Sequence, residues 1–217
     1  MKFVVTAGPT QEAIDPVRYL SNRSSGKMGY AIAEAALEAS HDVTLITGPV
    51  HIPPPERATL IRIVSADDLF DAVHTAVREC DVIVMCAAVA DYRPVRVSAV
   101  KLKKTTHDFS LALTPARDVL ASIAQGPRAY YVVGFAAETN EIAAHAQQKL
   151  RDKNCDMIVA NDVSRNDSGM ESAQNAVTIF TRDGLVKGIA RADKKMIAHE
   201  LVKIISDARE KSLTKKT

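Results

Sequence analysis

The stretch Ser24-Ser25-Gly26-Lys27-Met28-Gly29 places hydroxyls, flexible glycine backbone and one ammonium just ahead of a segment with helical periodicity, Gly29 to Ala39. Free backbone N–H groups and the positive end of the helix dipole make such a helix start a place for phosphate. The spacing is not that of a Walker A loop, which has a glycine five residues before its Gly-Lys pair and a Ser or Thr after it. Here Ser21 and Asn22 stand upstream and Met28 follows the lysine. Nor is it a dinucleotide fingerprint: no GxGxxG follows the first apolar run, and the second ends in Thr47-Gly48-Pro49, with no carboxylate for a ribose. On these residues alone, a glycine-rich loop that only caps a helix stays open as an alternative.

Other residues carry comparable chemistry. In Ala87-Ala88-Val89-Ala90-Asp91-Tyr92, small side chains let a ligand lie against the backbone. Asp91 is able to accept hydrogen bonds from a ribose or from a metal-bound water, or simply to cap a turn. Lys101-Leu102-Lys103-Lys104 offers cations that serve either an anion or a solvated face. Gly134-Phe135-Ala136-Ala137-Glu138-Thr139 and Ala160-Asn161-Asp162-Val163-Ser164 repeat the pattern of small and polar residues. Cys80, Cys86 and Cys155 have no CxxC or zinc-like spacing and read as reduced, structural thiols of a cytoplasmic protein. The six histidines are scattered and read as structural or surface groups, and no metal-ligand set emerges.

These groups follow apolar runs that must position them. Phe3 to Ala7, Val43 to Thr47, Val82 to Cys86, Tyr130 to Gly134 and Met157 to Ala160 read as strands. Helical periodicity occupies Gly29 to Ala39, Ala66 to Glu79, Glu141 to Asp152 and Asp193 to Arg209. The alternation predicts one α/β domain over residues 1–217: a doubly wound, mainly parallel sheet with helices on both faces. A small C-terminal hairpin is expected from Asn175 to Thr181 across Asp183-Gly184 to Leu185-Val186. In such a sheet ligands gather at the carboxyl ends of the strands, so the strand tips are expected to share one crevice. The connection from Ala7 to the first helix is long for a βα loop. Ala99 to Asp108 and Asn161 to Gln174 are expected to be mobile loops, and Lys211 to Thr217 a frayed tail. A formal charge of +2, from 28 basic and 26 acidic residues, provides no global field for nucleic acid or an anionic membrane. No apolar run approaches the length of a membrane span.

Taken in order, six segments resemble phosphopantothenoylcysteine synthetases: Thr6-Ala7-Gly8 with Asp15-Pro16-Val17-Arg18-Tyr19, Ser21 to Gly29, Ala87 to Tyr92, Lys101 to Lys104, Gly134 to Thr139 and Ala160 to Val163. The resemblance spans nearly the whole chain. It implies a Rossmann-like fold, a homodimer, Mg²⁺, and a ligase that uses CTP to join 4′-phosphopantothenate to L-cysteine through an acyl cytidylate. It further implies Asn22 and Lys101 as catalytic residues, with Arg18 reaching in from a neighbouring subunit, and Ala87, Ala88 and Asp91 as substrate contacts. For the nucleotide it implies Gly8, Ser24, Ser25, Gly26, Lys27, Met28, Asp91, Lys101, Gly134, Phe135 and Ala136. The Gly-Phe-Ala-Ala-Glu-Thr form resembles the enzymes that use CTP rather than ATP. Pro9, where many relatives have a second glycine, is a departure that stiffens the first loop. Many bacterial members are fused behind a flavin-dependent decarboxylase, whereas Met1 here leads straight into the first strand. A stand-alone synthetase with a separate decarboxylase partner is therefore the expectation, a piece of a longer protein the alternative. Two rivals differ in class. A nicotinamide-dependent reductase lacks its glycine fingerprint here, and a nucleotide sensor without turnover would have no use for a lysine beside a reacting phosphate.

Overall fold

The computed structural model describes residues 1–104, 106–138, 141–162 and 172–214. In chain order the elements are β1 (Lys2–Ala7), β2 (Gln11–Ala13), β3 (Tyr19–Ser21), α1 (Lys27–Glu38), β4 (Asp42–Thr47), β5 (Thr59–Arg62) and α2 (Ala66–Ala76), then β6 (Val82–Met85), β7 (Tyr92–Pro94), β8 (Leu113–Pro115) and α3 (Val119–Ala124). They continue as β9 (Tyr131–Glu138), α4 (Ile142–Asp152), β10 (Met157–Asp162), β11 (Gln174–Thr181), β12 (Gly184–Asp193) and α5 (Lys194–Thr214).

Eight strands form one sheet in the order β12-β11-β10-β9-β6-β1-β4-β5. From β10 to β5 all neighbours are parallel, and β11 and β12 close one edge antiparallel. The parallel strands stand in the spatial order third, second, first, fourth, fifth, sixth. The winding thus reverses between β1 and β6, where ligands collect in open α/β sheets.

Strand alternation divides the core. Phe3, Val5, Val43, Leu45, Val84 and Val133 face α1 and α5, while Val4, Ile46, Ile83, Met85, Val132 and Ile158 face α2, α3 and α4. Apolar side chains on both faces are the reason these runs are continuous rather than alternating. α2 starts at a capping box: the Ser65 hydroxyl accepts from the Asp68 N–H at 3.1 Å, and Asp68 accepts from the Ser65 N–H at 2.8 Å. Buried Glu12 of β2 accepts from the Ala66 N–H at 2.9 Å, tying the first hairpin to that helix.

Several sequence expectations are corrected here. The long connection after β1 contains the β2–β3 hairpin. β7 and β8 make a separate two-stranded ribbon across residues 95–112. The C-terminal hairpin is longer than expected and joins the main sheet through β10. α5 runs to Thr214, so the expected frayed tail is helical over Lys211 to Thr214. β5 and α3 have no counterpart in the sequence reading. The loop expected over Asn161 to Gln174 falls for the most part, at 163–171, outside the described residues, as do Thr139 and 215–217. No helix among the described residues is long and apolar enough to cross a membrane.

Candidate active site

Where the winding reverses, the loops after β1 and β6 are joined by backbone. The Ala88 N–H donates to the Gly8 carbonyl at 2.9 Å, the Thr10 N–H donates back to the Ala88 carbonyl at 3.1 Å, and Pro9 and Ala88 form a parallel bridge. Buried Thr6 and Thr10 add side-chain acceptors for the N–H groups of Ala87, at 3.1 Å, and Ala90, at 2.9 Å. The Asn22 amide N–H₂ also donates to the Ala88 carbonyl, at 2.9 Å. The Ser24–Gly29 loop and the Ala87–Asp91 tip are thereby held side by side. Gly48 supports the crossing from below: a Cβ there would lie 1.8 Å from the Pro9 carbonyl oxygen, so only glycine fits.

A cleft of about 490 Å³ opens above this crossing. It brings together Asn22, Ser24, Gly26, Lys27 and Met28 from the first loop with Ala87, Ala88 and Asp91 from the second, and Phe135 and Ala136 from β9. α1 begins at Gly26, whose φ of 76° is left-handed, with no side chain capping its N-terminus and no acidic residue in its first turn. Those N–H groups belong to the cleft wall, as an anion site requires.

Some sequence-derived residues lie elsewhere. Gly8 and Gly134 are not on the cleft wall. Gly8 turns the chain at φ 73° under Val50, and a Cβ on Gly134 would meet Ile158 at 2.7 Å in the core. Ser25 also lies off the wall. Arg18 and Lys101 are absent from this chain's cleft. Arg18 instead pairs with Asp15 and donates to the Leu102 carbonyl at 2.7 Å. Within the loop expected to be mobile, the Leu102 N–H also donates to Asp15, at 3.1 Å.

The cleft contains cations that the sequence reading passed over. Lys149 donates to the Phe135 carbonyl at 2.8 Å, and Lys153 pairs with Asp118, which caps α3 through the Ala121 N–H at 2.9 Å. Burial would raise the Asp118 carboxyl, but Lys153 and that N–H outweigh it and hold it below the usual carboxylate range. Lys194, 5% exposed at the start of α5, completes the far wall with Asn161 and Asn175. Burial and the nearby Lys27 ammonium depress its proton affinity, and the Cys86 thiol opposes them weakly. The Asn161 Oδ1 is buried without a hydrogen-bond partner. Helical spacing of Lys149 and Lys153 was the one signal for that pair in the sequence, and Lys194 had none. Burial pushes the thiols of Cys80, Cys86 and Cys155 up to about 12, so none is a thiolate at neutral pH, and none is in a disulfide. No histidine lines the cleft among the described residues.

A doubly wound sheet with an uncapped, cation-flanked helix start at its winding reversal defines an α/β domain with the geometry that anion sites use. The chain belongs to the DNA/pantothenate metabolism flavoprotein C-terminal domain family, whose profile matches residues 1–208. Its relatives include the coenzyme A biosynthesis bifunctional protein CoaBC of Vibrio vulnificus (strain CMCP6), 43% identical over 206 residues that cover 94% of this chain and 51% of the relative. The crystal structure of the C-terminal domain of a coenzyme A biosynthesis bifunctional protein CoaBC superposes with a TM-score of 0.83 at 39% identity, covering 97% of this chain and 96% of that one. A Cab2 mutant in complex with phosphopantothenate-cysteine shares the fold, with a TM-score of 0.82 at 17% identity over 100% of this chain and 89% of that one. The chain spans about half the length of the curated relatives it matches.

Proposed function

We propose that this chain is a cytoplasmic phosphopantothenate–cysteine ligase of coenzyme A synthesis that uses CTP. The observation that carries the reading is the cleft at the winding reversal, where the α1 N-terminus, Lys27 and Lys194 face Ala88 and Asn22. In the first step the carboxylate of 4′-phosphopantothenate attacks the α-phosphorus of CTP. The oxygen–phosphorus bond to the leaving group breaks and pyrophosphate departs. In the second, the cysteine amine attacks the acyl carbonyl, CMP leaves with the bonding electrons, and the amine proton passes to solvent.

The residues have separable tasks. The N–H groups of the α1 first turn, with Lys27, take phosphate oxygens, and fixed positive charge there opposes the negative charge that grows during transfer. Phe135 and Ala136 form the wall for the base, where Lys149, Lys153 and Asp118 offer polar groups to its edge. Asn22, held by the Ala88 carbonyl, faces the acyl group, and Lys101, outside its own chain's cleft as Arg18 is, supplies charge at the transferred phosphate from the neighbouring subunit. Among the described residues no three His, Cys, Asp or Glu side chains cluster as a metal cage. Mg²⁺ therefore suits this site as a companion of the triphosphate, with Asp91 available to its hydration shell.

A homodimer fits the same reading. Val17, Tyr19, Val95 and Val97 are 58%, 54%, 55% and 60% exposed on the hairpin and the adjoining ribbon, an apolar face in need of cover. Arg18 stands beside that face rather than in its own cleft, which supports a task in the partner's site. The relatives of Vibrio vulnificus, Bacillus subtilis and Escherichia coli are bifunctional proteins, so a flavin-dependent decarboxylase, fused or separate, is the expected partner in the same synthesis.

The test is pyrophosphate release by the purified protein with Mg²⁺, 4′-phosphopantothenate and cysteine, with CTP or ATP. Release that needs CTP and 4′-phosphopantothenate is the expected result. Release with ATP alone would overturn the nucleotide assignment. Tight CTP binding without release would replace the ligase with a sensor.

A further inference from the structure

Asp15 has no part in the reaction described above, yet the residue is 3% exposed and its carboxylate meets five donors. Oδ1 accepts from the N–H groups of Val17, at 2.8 Å, and Arg18, at 2.9 Å. Oδ2 accepts from Arg18 Nε at 3.0 Å, from Arg18 Nη2, and from the Leu102 N–H at 3.1 Å, across 87 residues of sequence. Arg18 Nη2 then donates to the carbonyl of Leu102 at 2.7 Å. Both backbone groups of the residue that follows Lys101 are thus held by one ion pair.

Among the described residues, apolar burial does little to fix that stretch: Val97, Val100 and Phe109 are 60%, 71% and 64% exposed. Apart from the Asp15–Arg18 pair, the loop meets the first hairpin through the Ser98 N–H, which donates to the Ile14 carbonyl at 3.0 Å. A carboxylate is the group that satisfies five converging donors, because it is acceptor only; an amide would turn its own N–H₂ toward some of them.

We propose that Asp15 is a positioning residue, whose carboxylate acts with Arg18 as a latch that fixes the Lys101–Leu102 peptide and sets Arg18 and Lys101 in one arrangement. The catalytic consequence rests on the ligase reading; the latch itself does not. The Arg18 guanidinium, against the opposing effect of burial, holds the Asp15 carboxyl well below the usual carboxylate range, so the latch stays charged at neutral pH.

Limited trypsin digestion of the full chain without substrates tests the latch directly. Asp15→Asn is expected to be cleaved after Lys101, Lys103 or Lys104 at least tenfold faster than the unaltered protein, with cleavage at Lys203 unchanged. Asp15→Glu, which keeps the charge, is expected to recover part of the protection. Equal rates for the unaltered protein and Asp15→Asn would overturn the proposal. Should Asp15→Asn fail to fold, Arg18→Gln serves in its place: it strips the donor from the Leu102 carbonyl, and an unchanged rate there would also overturn it. A second arm reads the catalytic consequence. Asp15→Asn is expected to lower the rate of pyrophosphate release at least tenfold with the KM for CTP within threefold, and the double variant with Lys101→Gln is expected to be little slower than Lys101→Gln alone. Equal loss in both constants, or full additivity with Lys101→Gln, would assign Asp15 a general structural role. If the unaltered protein releases no pyrophosphate, the ligase reading fails while the digestion still decides the latch.

Discussion

At the winding reversal, the loops after β1 and β6 are tied by reciprocal backbone bonds between Gly8, Thr10 and Ala88, on strands that the whole sheet keeps parallel. A short way along the chain, the Lys101 loop is tied to the first hairpin by one carboxylate and one guanidinium. The first region is rigid because many weak constraints share the task. The second depends on a few strong, charge-assisted bonds at the rim. On the proposed ligase reading the difference matches two demands: nucleotide binding needs a preformed surface, whereas a catalytic cation on a loop needs one defined position without a core beneath it.

This comparison is open to attack at both ends. The largest effect is expected from Lys101→Gln. Removing a cation aimed at a transition-state charge typically costs about 10²–10³ in turnover, while CTP affinity, measured by calorimetry, should stay within about threefold because the cleft is elsewhere. A collapse of CTP affinity would merge rim and cleft into one unit. Next comes Gly48→Ala at the cleft's support. With a Cβ 1.8 Å from the Pro9 oxygen, urea unfolding should show a loss of about 3 kcal/mol or more, accompanied by weaker CTP binding. Unaltered stability would mean the crossing yields easily and is no more rigid than the rim.

The smallest effect is a pH dependence at the cleft wall. Burial and Lys27 lower the Lys194 pKa, and a bound phosphate favours its charged form. CTP affinity should therefore be level at lower pH and fall as pH rises through that lowered value, by at most about tenfold per unit. Lys194→Arg, which keeps its charge, should shift the fall to higher pH. An identical alkaline limb in both proteins would remove Lys194 from the anion site.

Much of this was legible in the chain itself. The five apolar runs became β1, β4, β6, β9 and β10, because strands covered on both faces leave a continuous signal. The short elements left none: β5 is half-buried and four residues long, α3 has six, and β7 pairs with β8 across a span that local patterning does not reach. Ser24, Gly26 to Met28 and Ala87 to Asp91 were readable as members of one crevice, because small and flexible residues cluster in the segments that follow the apolar runs. Lys149, Lys153 and Lys194 were not, since a lysine on a helix looks alike whether it faces water or a cleft. Lys101 was readable as a cation, but the bonds from Asp15 and Arg18 to the Leu102 backbone were not, because they join residues 87 and 84 positions apart.

Local composition and periodicity were enough to fix a doubly wound α/β sheet and the strand tips that share its crevice, while the family resemblance rested on six short segments in order. Only the tertiary structure decided which cations share the cleft, which glycines are packing rather than contact, and that one buried carboxylate joins Arg18 to the Lys101 loop. Those outcomes depend on distances between residues far apart in the chain, and burial and charge pairing act only once the fold has brought them together.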